Sequence, residues 1–367
     1  MTAKEAYIVL NMLDEVGPVR VRRLLDAFGE PQAILQAGKA ELMQVEGVGE
    51  EVSRSILNWR EQADLDAELA RIEKGGVRVV TRDETDYPKH LREIYDPPLV
   101  LYVKGSLSEK DAVSIAIVGS RRTSLYGQEM ARKLAYQLAR VGVTVVSGLA
   151  RGIDTQAHKG ALQAKGRTVA VLGCGIDVVY PSENKKLAEE IVEKGGALVT
   201  EFPFGVQPDR QTFPMRNRIV SGWSLGVVVV EANLKSGALI TAGFAGEQGR
   251  HVFAVPGRAD SPLSKGAKKL IKDGAKLTED VEDILGEFEY LLPKTKEEKA
   301  VESDVLSLSE HETKVLEAIG EDEIVMDEII QRSGLTSACV SATLLALEMK
   351  RIVRQLPGKV FARRMLN

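Results

Sequence analysis

The chain reads as an α/β protein built around a doubly wound, Rossmann-like parallel sheet, with a helical domain before it and a winged helix after it. Three patterns predict this. Between about Ser114 and Leu285 short apolar runs, SIAIV at 114, TVVS at 144, TVAVLG at 168, ALVTEF at 197, LGVVVVEA at 225 and HVFAVP at 251, alternate with amphipathic segments. Continuous β-branched runs of this kind need helices on both sheet faces. Near the N-terminus the pattern helix, glycine turn, helix occurs twice, and near the C-terminus three helical segments are followed by a hairpin.

In chain order, residues 1–73 carry the repeat, LNMLDEVGPVRVRRLLDAFG from Leu10 and ELMQVEGVGEEVSRSIL from Glu41. It resembles a tandem helix-hairpin-helix, whose turn glycines let backbone N–H groups approach a phosphate. Arg20, Arg22 and Arg23 suit the first turn to that task, whereas Glu46, Glu50 and Glu51 crowd the second. The other reading is a packing module with glycine for turn geometry. Residues 74–285 form the sheet domain, and its opening stretch, broken by Tyr87-Pro88 and Pro97-Pro98, adds a strand or hairpin to the sheet. Residues 286–307, with KTKEEKAVESD, read as a linker, and 308–367 as the winged helix.

Composition narrows the function. With 367 residues, a net charge of −4, two cysteines and four histidines, the chain suits neither a disulfide framework nor a metal cluster, and no metal is expected. The longest apolar runs are too short to span a bilayer, so the expected location is cytoplasmic, away from any membrane. No GxGxxG follows the first strand, and GxxxxGK[ST] and GxSxG are absent, so no nicotinamide cofactor, P-loop ATPase or hydrolase elbow is supported. No cofactor is expected.

The sheet domain does carry a ring of strand-end loops rich in small residues and cations: Gly119, Ser120, Arg121 and Arg122; Ser147, Gly148, Arg151 and Gly152; then Arg216, Asn217 and Arg218; then Lys235 and Ser236. In open parallel sheets ligands bind outside the carboxyl ends of the strands. Arginine forks on glycine-rich backbone there describe an anion site, although some of these arginines pair internally with Asp154, Glu201 or Glu231. Tyr180, Phe202, Phe204 and Phe213 follow strand ends as candidates for base stacking or for core. His158, four residues after Asp154, is either a general base or the partner of that aspartate. Cys174 reads as a small buried residue.

The runs GSR, SGLARGID with Ala157-His158 following, LGCGIDVVYP, Asn184, FPMRNRIVSG, EANLKSGALITA and AVPG together resemble the DNA-processing protein A (DprA/Smf) family over about 88–277. The resemblance implies a homodimeric bacterial protein, not an enzyme, that binds and protects single-stranded DNA taken up in natural transformation and loads a RecA-type recombinase. Carried over by position, it offers Arg121, Ser147, Arg151, Lys185 or Lys186, Arg216 and Arg218 as DNA contacts. One departure is GAKKLIKDGA, where Lys268 replaces the family's usual asparagine.

Two other readings stay open. RNRIVSG followed by KSGALITAGFAGEQG resembles, distantly, the site of phosphoribohydrolases that split a nucleotide's N-glycosidic bond, with Arg216 and Glu247 as the couple. The other makes the winged helix a reader of duplex DNA, although TSACVSATLLALEM offers no Arg, Asn or Gln for base edges. Its basic wing, Arg354, Lys359, Arg363 and Arg364, suits duplex backbone or a protein partner. The apolar Leu270, Ile271 and Leu277 form the expected dimer surface.

Overall fold

A computed structural model describes residues 1–288, 309–320, 324–349, 352–356 and 360–363. The chain divides into two compact units, Met1–Leu292 and Pro293–Asn367. The linker expected over 286–307 lies, from residue 289 onward, outside the described residues.

The first unit opens with the helical repeat. A capping box of Thr2 and Glu5 starts the helix Ala3–Met12, and Pro18 and Gly29 bracket the next, Pro18–Phe28, at the ends where proline and glycine are tolerated. The second hairpin joins Lys39–Leu42 to Glu50–Leu57. These helices do not enclose a core of their own. Tyr7, Leu10, Leu24, Ile34 and Ile56 belong to one buried cluster with Val100, Tyr102, Leu172 and Leu198 from the sheet domain.

Nine strands make the sheet: β1 Arg78–Thr81, β2 Val100–Gly105, β3 Ser114–Val118, β4 Thr144–Ser147, β5 Thr168–Val171, β6 Ala197–Thr200, β7 Gly226–Val229, β8 His251–Ala254 and β9 Lys276–Leu277. Their order is β1-β2-β6-β5-β4-β3-β7-β8-β9. From β6 to β9 all pairings are parallel, while β1 and β2 join antiparallel, with Tyr102 opposite Thr200. The connecting stretch therefore adds two strands to one edge.

Alternate residues of β3 sort to the two faces. Ile115 and Ile117 pack under the helices Leu125–Arg140 and Ile153–Gln163, while Ala116 and Val118 pack under Thr212–Trp223 and Gly237–Glu247. Burial of each such branched side chain stabilises by roughly 1.5–3 kcal/mol. The chain winds outward from β3 to β6 and then crosses back to β7 on the other side of β3. That reversal opens a crevice between the carboxyl ends of β3 and β7, where a doubly wound sheet takes its ligand.

The second unit packs helices Glu310–Ile319, Met326–Ser333 and Ser337–Met349 against a three-stranded antiparallel sheet, β10 Ile324–Val325, β11 Val353–Leu356 and β12 Val360–Arg363, in the order β10-β12-β11. Val315, Ile319, Ile329, Val340, Leu344, Leu347 and Phe361 fill its core. This is the three-helix and hairpin outline of a winged helix. Among the described residues no helix is long and apolar enough to cross a membrane.

Candidate nucleic-acid interface

A cleft of about 780 Å³ occupies the crevice between β3 and β7. Its first wall is the turn Gly119–Arg122. Ser120 donates its N–H to Glu231 O at 2.6 Å and its hydroxyl to Arg122 O at 2.5 Å, which folds the turn back on itself. Glu231 completes the lock, accepting from the Thr123 and Ser124 hydroxyls and the Ser124 N–H at 2.5 to 2.9 Å. With backbone and acid thus committed, the Arg121 and Arg122 side chains stand exposed. The Arg121 guanidinium lies 4.8 Å from the centre of the Phe213 ring, and Phe213 lies 5.6 Å from Tyr180.

The second wall follows β4. Asp154 accepts the N–H groups of Gly148 and Ala150 at 3.1 and 3.3 Å and so curls the loop toward the helix it begins. Burial raises the Asp154 carboxyl above its usual range, against the opposing charge of Arg216 and those two N–H bonds. Gly152, at φ 77°, passes so close beneath Ser120 that a Cβ there would stand 2.3 Å from its carbonyl oxygen. Small residues are needed here for backbone packing.

Arg216 closes the floor. It is 4% exposed, and its Nη1 donates to the carbonyls of Gly148 and Val171. A Cβ on Gly148 would fall 2.3 Å from that nitrogen. Burial lowers the Arg216 pKa below its ordinary value, and the nearby Asp154 charge resists the shift. The remaining walls are Pro208–Arg210 and the segment Lys235–Gly237, where Ser236 caps the helix Gly237–Glu247 and Asn217 donates to Gly237 O at 3.3 Å.

Among the described residues Arg121, Arg122, Arg210 and Lys235 make no ion pair, and the acids lining the cleft are Asp154 and Asp209. The chain is acidic as a whole, but this crevice is cationic. Arg210 escapes the sequence reading because PDRQ looks like an ordinary turn; its spacing of three from Phe213 is the signal that places both on one wall.

Several expected site residues lie elsewhere. Arg218 is the clear correction. It is 5% exposed, and its guanidinium is spent on Glu201 at 2.6 and 2.7 Å and on Asp96 at 2.8 Å, so it braces the fold and faces no ligand. Ser147 is buried and donates to Ile117 O, which leaves it a positioning role. Arg151 and Gly152 are off the cleft lining, and Arg151 is held by Glu183 at 2.9 Å in an exposed two-pronged pair. Lys185 and Lys186 are exposed at the start of the helix Lys185–Glu193, beside Asn184, which donates to Leu149 O.

The remaining candidates also sort by geometry. His158 does not pair with Asp154. Its Nδ1 donates at 2.7 Å to the Thr168 hydroxyl, which itself donates to Val145 O, and burial aided by the Arg216 charge pushes the imidazole down to about 3. Cys174 is buried, with its thiol pushed up to about 11 by that burial. Phe204 packs edge-on against Tyr102, away from the cleft. Lys268 turns its ammonium to the carbonyls of Arg258 and Ala259.

In the hairpin repeat, Arg20 and Arg23 donate to backbone carbonyls of Glu15, Glu46 and Gly47, and Arg22 to Tyr95 O. These arginines tie the two hairpins together and to the sheet domain. Of the basic wing, Arg354 is exposed and Arg363 donates to Leu316 O, while Lys359 and Arg364 lie outside the described residues.

The family described as DNA recombination-mediator protein A matches residues 78–289, which include every wall of this cleft. The chain belongs to the DprA/Smf family. A DprA winged helix domain matches residues 299–359, and a SAM-like helix-hairpin-helix tandem matches 8–58. Protein Smf of Synechocystis is 34% identical over 396 residues, covering 99% of both chains, and Protein Smf of Escherichia coli is 40% identical over 80% of this chain and 79% of its own. The X-ray structure of DprA from Streptococcus pneumoniae superposes with a TM-score of 0.68 at 36% identity, over 78% of this chain and 98% of that one. DprA from Helicobacter pylori, whose structure is described as giving insight into a unique single-stranded DNA binding mode, superposes at 0.53 with 28% identity, over 59% and 98%.

Proposed function

We propose that this DprA/Smf protein binds single-stranded DNA in the β3–β7 cleft, protects it, and loads a RecA-type recombinase onto it during natural transformation, with no bond made or broken. One observation carries the reading: Arg121, Arg122, Arg210 and Lys235, which form no ion pair among the described residues, surround the Tyr180–Phe213 pair. Phosphates need the cations, and unpaired bases have faces to stack on the rings, at roughly 1–3 kcal/mol each. The single-strand binding described for the Helicobacter pylori relative supports the same choice. Gly119, Ser120, Gly148, Asn217 and Ser236 shape the site, and Arg151, Lys185 and Lys186 extend it outside the cleft, since a solvent-screened pair such as Arg151–Glu183 is weak and yields to a phosphate.

The phosphoribohydrolase reading lacks its couple. Glu247 is exposed at the far end of the helix Gly237–Glu247, about 15 Å along the axis from the turn that lines the cleft. We also infer a homodimer. β9 leaves an open sheet edge on which Leu277 is 45% exposed, a surface that pairing would cover. Conversion of Leu277 to arginine is expected to yield a monomer by light scattering; an unchanged mass excludes that edge.

Equilibrium binding to labelled single- and double-stranded oligonucleotides across a salt series tests the main reading. Single strands should win, with a slope near −0.7 per phosphate contacted. Binding of a mononucleotide but of neither strand form would overturn it. Recombinase loading is measured separately, as RecA filament formation on strands already coated with a single-strand-binding protein.

A further inference from the structure

A second surface repeats the chemistry of the cleft with none of its residues. The helix Leu125–Arg140 starts three residues after Arg122, so the cleft rim becomes the first turn of a 16-residue helix that runs about 24 Å away from it. Its inner face, Ala131, Leu134, Ala135 and Leu138, is packed against the sheet. Its outer face lines a groove of about 430 Å³ shared with Gln163 of the neighbouring helix Ile153–Gln163.

The groove is cationic and partly aromatic. Arg132 bonds to a neutral partner, Gln156 Oε1, at 2.5 and 3.2 Å, and so keeps its charge uncompensated. One turn past the groove lining, Arg140 lies 5.9 Å from the centre of the Tyr136 ring and donates to its hydroxyl at 3.3 Å. Among the described residues Arg132, Lys133 and Arg140 form no ion pair, and the groove's own acid is Glu129. At the end nearest the cleft, Leu125 is 77% and Tyr126 46% exposed, with the Tyr126 hydroxyl fixed on Pro256 O at 3.1 Å. A surface with a half-buried Tyr136 among uncompensated cations and an exposed Tyr126 ring at its cleft end matches a polyanion that carries stackable bases.

We propose that this groove holds a second segment of the bound single strand, which leaves the cleft past Arg122 and follows the helix, with phosphates on Arg132, Lys133 and Arg140 and bases against Tyr126 and Tyr136. The proposal rests on single-strand binding in the cleft. It makes the footprint longer than the cleft alone.

The test uses the full chain and two oligothymidylates, one of about six nucleotides, near the lower end of the ~4–16 nucleotides of a typical single-strand site, and one of about twenty, beyond it. For the triple variant Arg132→Ala, Lys133→Ala, Arg140→Ala, affinity for the short strand should be unchanged. Affinity for the long strand should fall on the order of tenfold, and its salt slope should lose about 2, three contacts at about 0.7 each. The charge-preserving variant Arg132→Lys, Arg140→Lys should keep the slope and also guards against a folding defect.

An unchanged long-strand affinity, as expected if the groove serves a protein partner, overturns the proposal. So does an equal loss for both lengths. Arg121→Ala should weaken both strands; if it weakens neither, the cleft reading fails, whatever the groove does.

Discussion

Arg218 and Glu201 face each other as a two-pronged ion pair, Nη1 to Oε1 at 2.6 Å and Nη2 to Oε2 at 2.7 Å, with neither side chain more than 7% exposed. Burial alone would lower the arginine pKa, but the charges of Glu201 and Asp96 outweigh it and hold the guanidinium above its ordinary value. A buried pair is costly to break from one side, at roughly 3–5 kcal/mol, because the survivor is left uncompensated. Arg218→Ala is therefore expected to lower Tm sharply, and at a temperature where it stays folded its DNA affinity should be near wild type. Calorimetry and binding on the same preparation separate the two effects.

Arg121 and Arg210 should behave in the opposite way. Both are exposed and make no ion pair among the described residues, so alanine at either should leave the unfolding free energy within about 0.5 kcal/mol of wild type and flatten the salt slope by about 0.7. Phe213→Ala should weaken single-strand binding by about 1–3 kcal/mol at every salt concentration, since stacking is not screened as charge is.

Gly148→Ala is a test of the floor. The new methyl group would stand 2.3 Å from Arg216 Nη1, a nitrogen held by the carbonyls of Gly148 itself and of Val171 in β5. The variant should lose both binding and thermal stability, measured by titration and by a melting curve. Retention of both would mean that Arg216 has room to move.

His158 gives a pH dependence with a definite sign. The folded imidazole stays neutral down to about 3, whereas in the unfolded chain it protonates near 6.5. Below 6.5 the unfolded state therefore binds the extra proton, and stability is lost as pH falls from about 6.5 toward 3, by up to ~1.4 kcal/mol per pH unit. Denaturant titrations at several pH values should show that loss in the wild type and a shallower one in His158→Asn. Parallel curves would assign the acid sensitivity to another group.

Truncation before Leu308 removes the winged helix. Its third helix, Ser337–Met349, carries no Arg, Asn or Gln for bidentate readout, so the shortened chain is expected to keep its single-strand affinity in the same titration.

The architecture was legible because strand and helix periods are local properties of the sequence. Ile115 and Val227 announce buried parallel strands wherever they sit. The site was legible in outline only. Whether an arginine reaches a ligand depends on what lies opposite it, and for Arg218 that is Glu201 and Asp96, the latter 122 residues away. Arg216 and Arg218 share one motif and one helix, yet one floors the cleft and the other is locked away from it. The hairpin arginines left two readings open for a related reason. Their spacing suits a phosphate, but the carbonyls they serve become neighbours only after both hairpins and the sheet have come together.

The shared core of the helical repeat and the sheet also sets an order of events on the ribosome. Tyr7, Leu10 and Ile56 share one buried cluster with Leu172 and Leu198, and β2 pairs with β6, so the helical repeat lacks part of its interior until more than a hundred further residues have been made. At ~5–20 residues per second that interval is on the order of ten seconds, during which a nascent helical repeat offers its apolar underside to chaperones or to neighbouring chains. The helices that precede the sheet in the gene must therefore wait for it in folding.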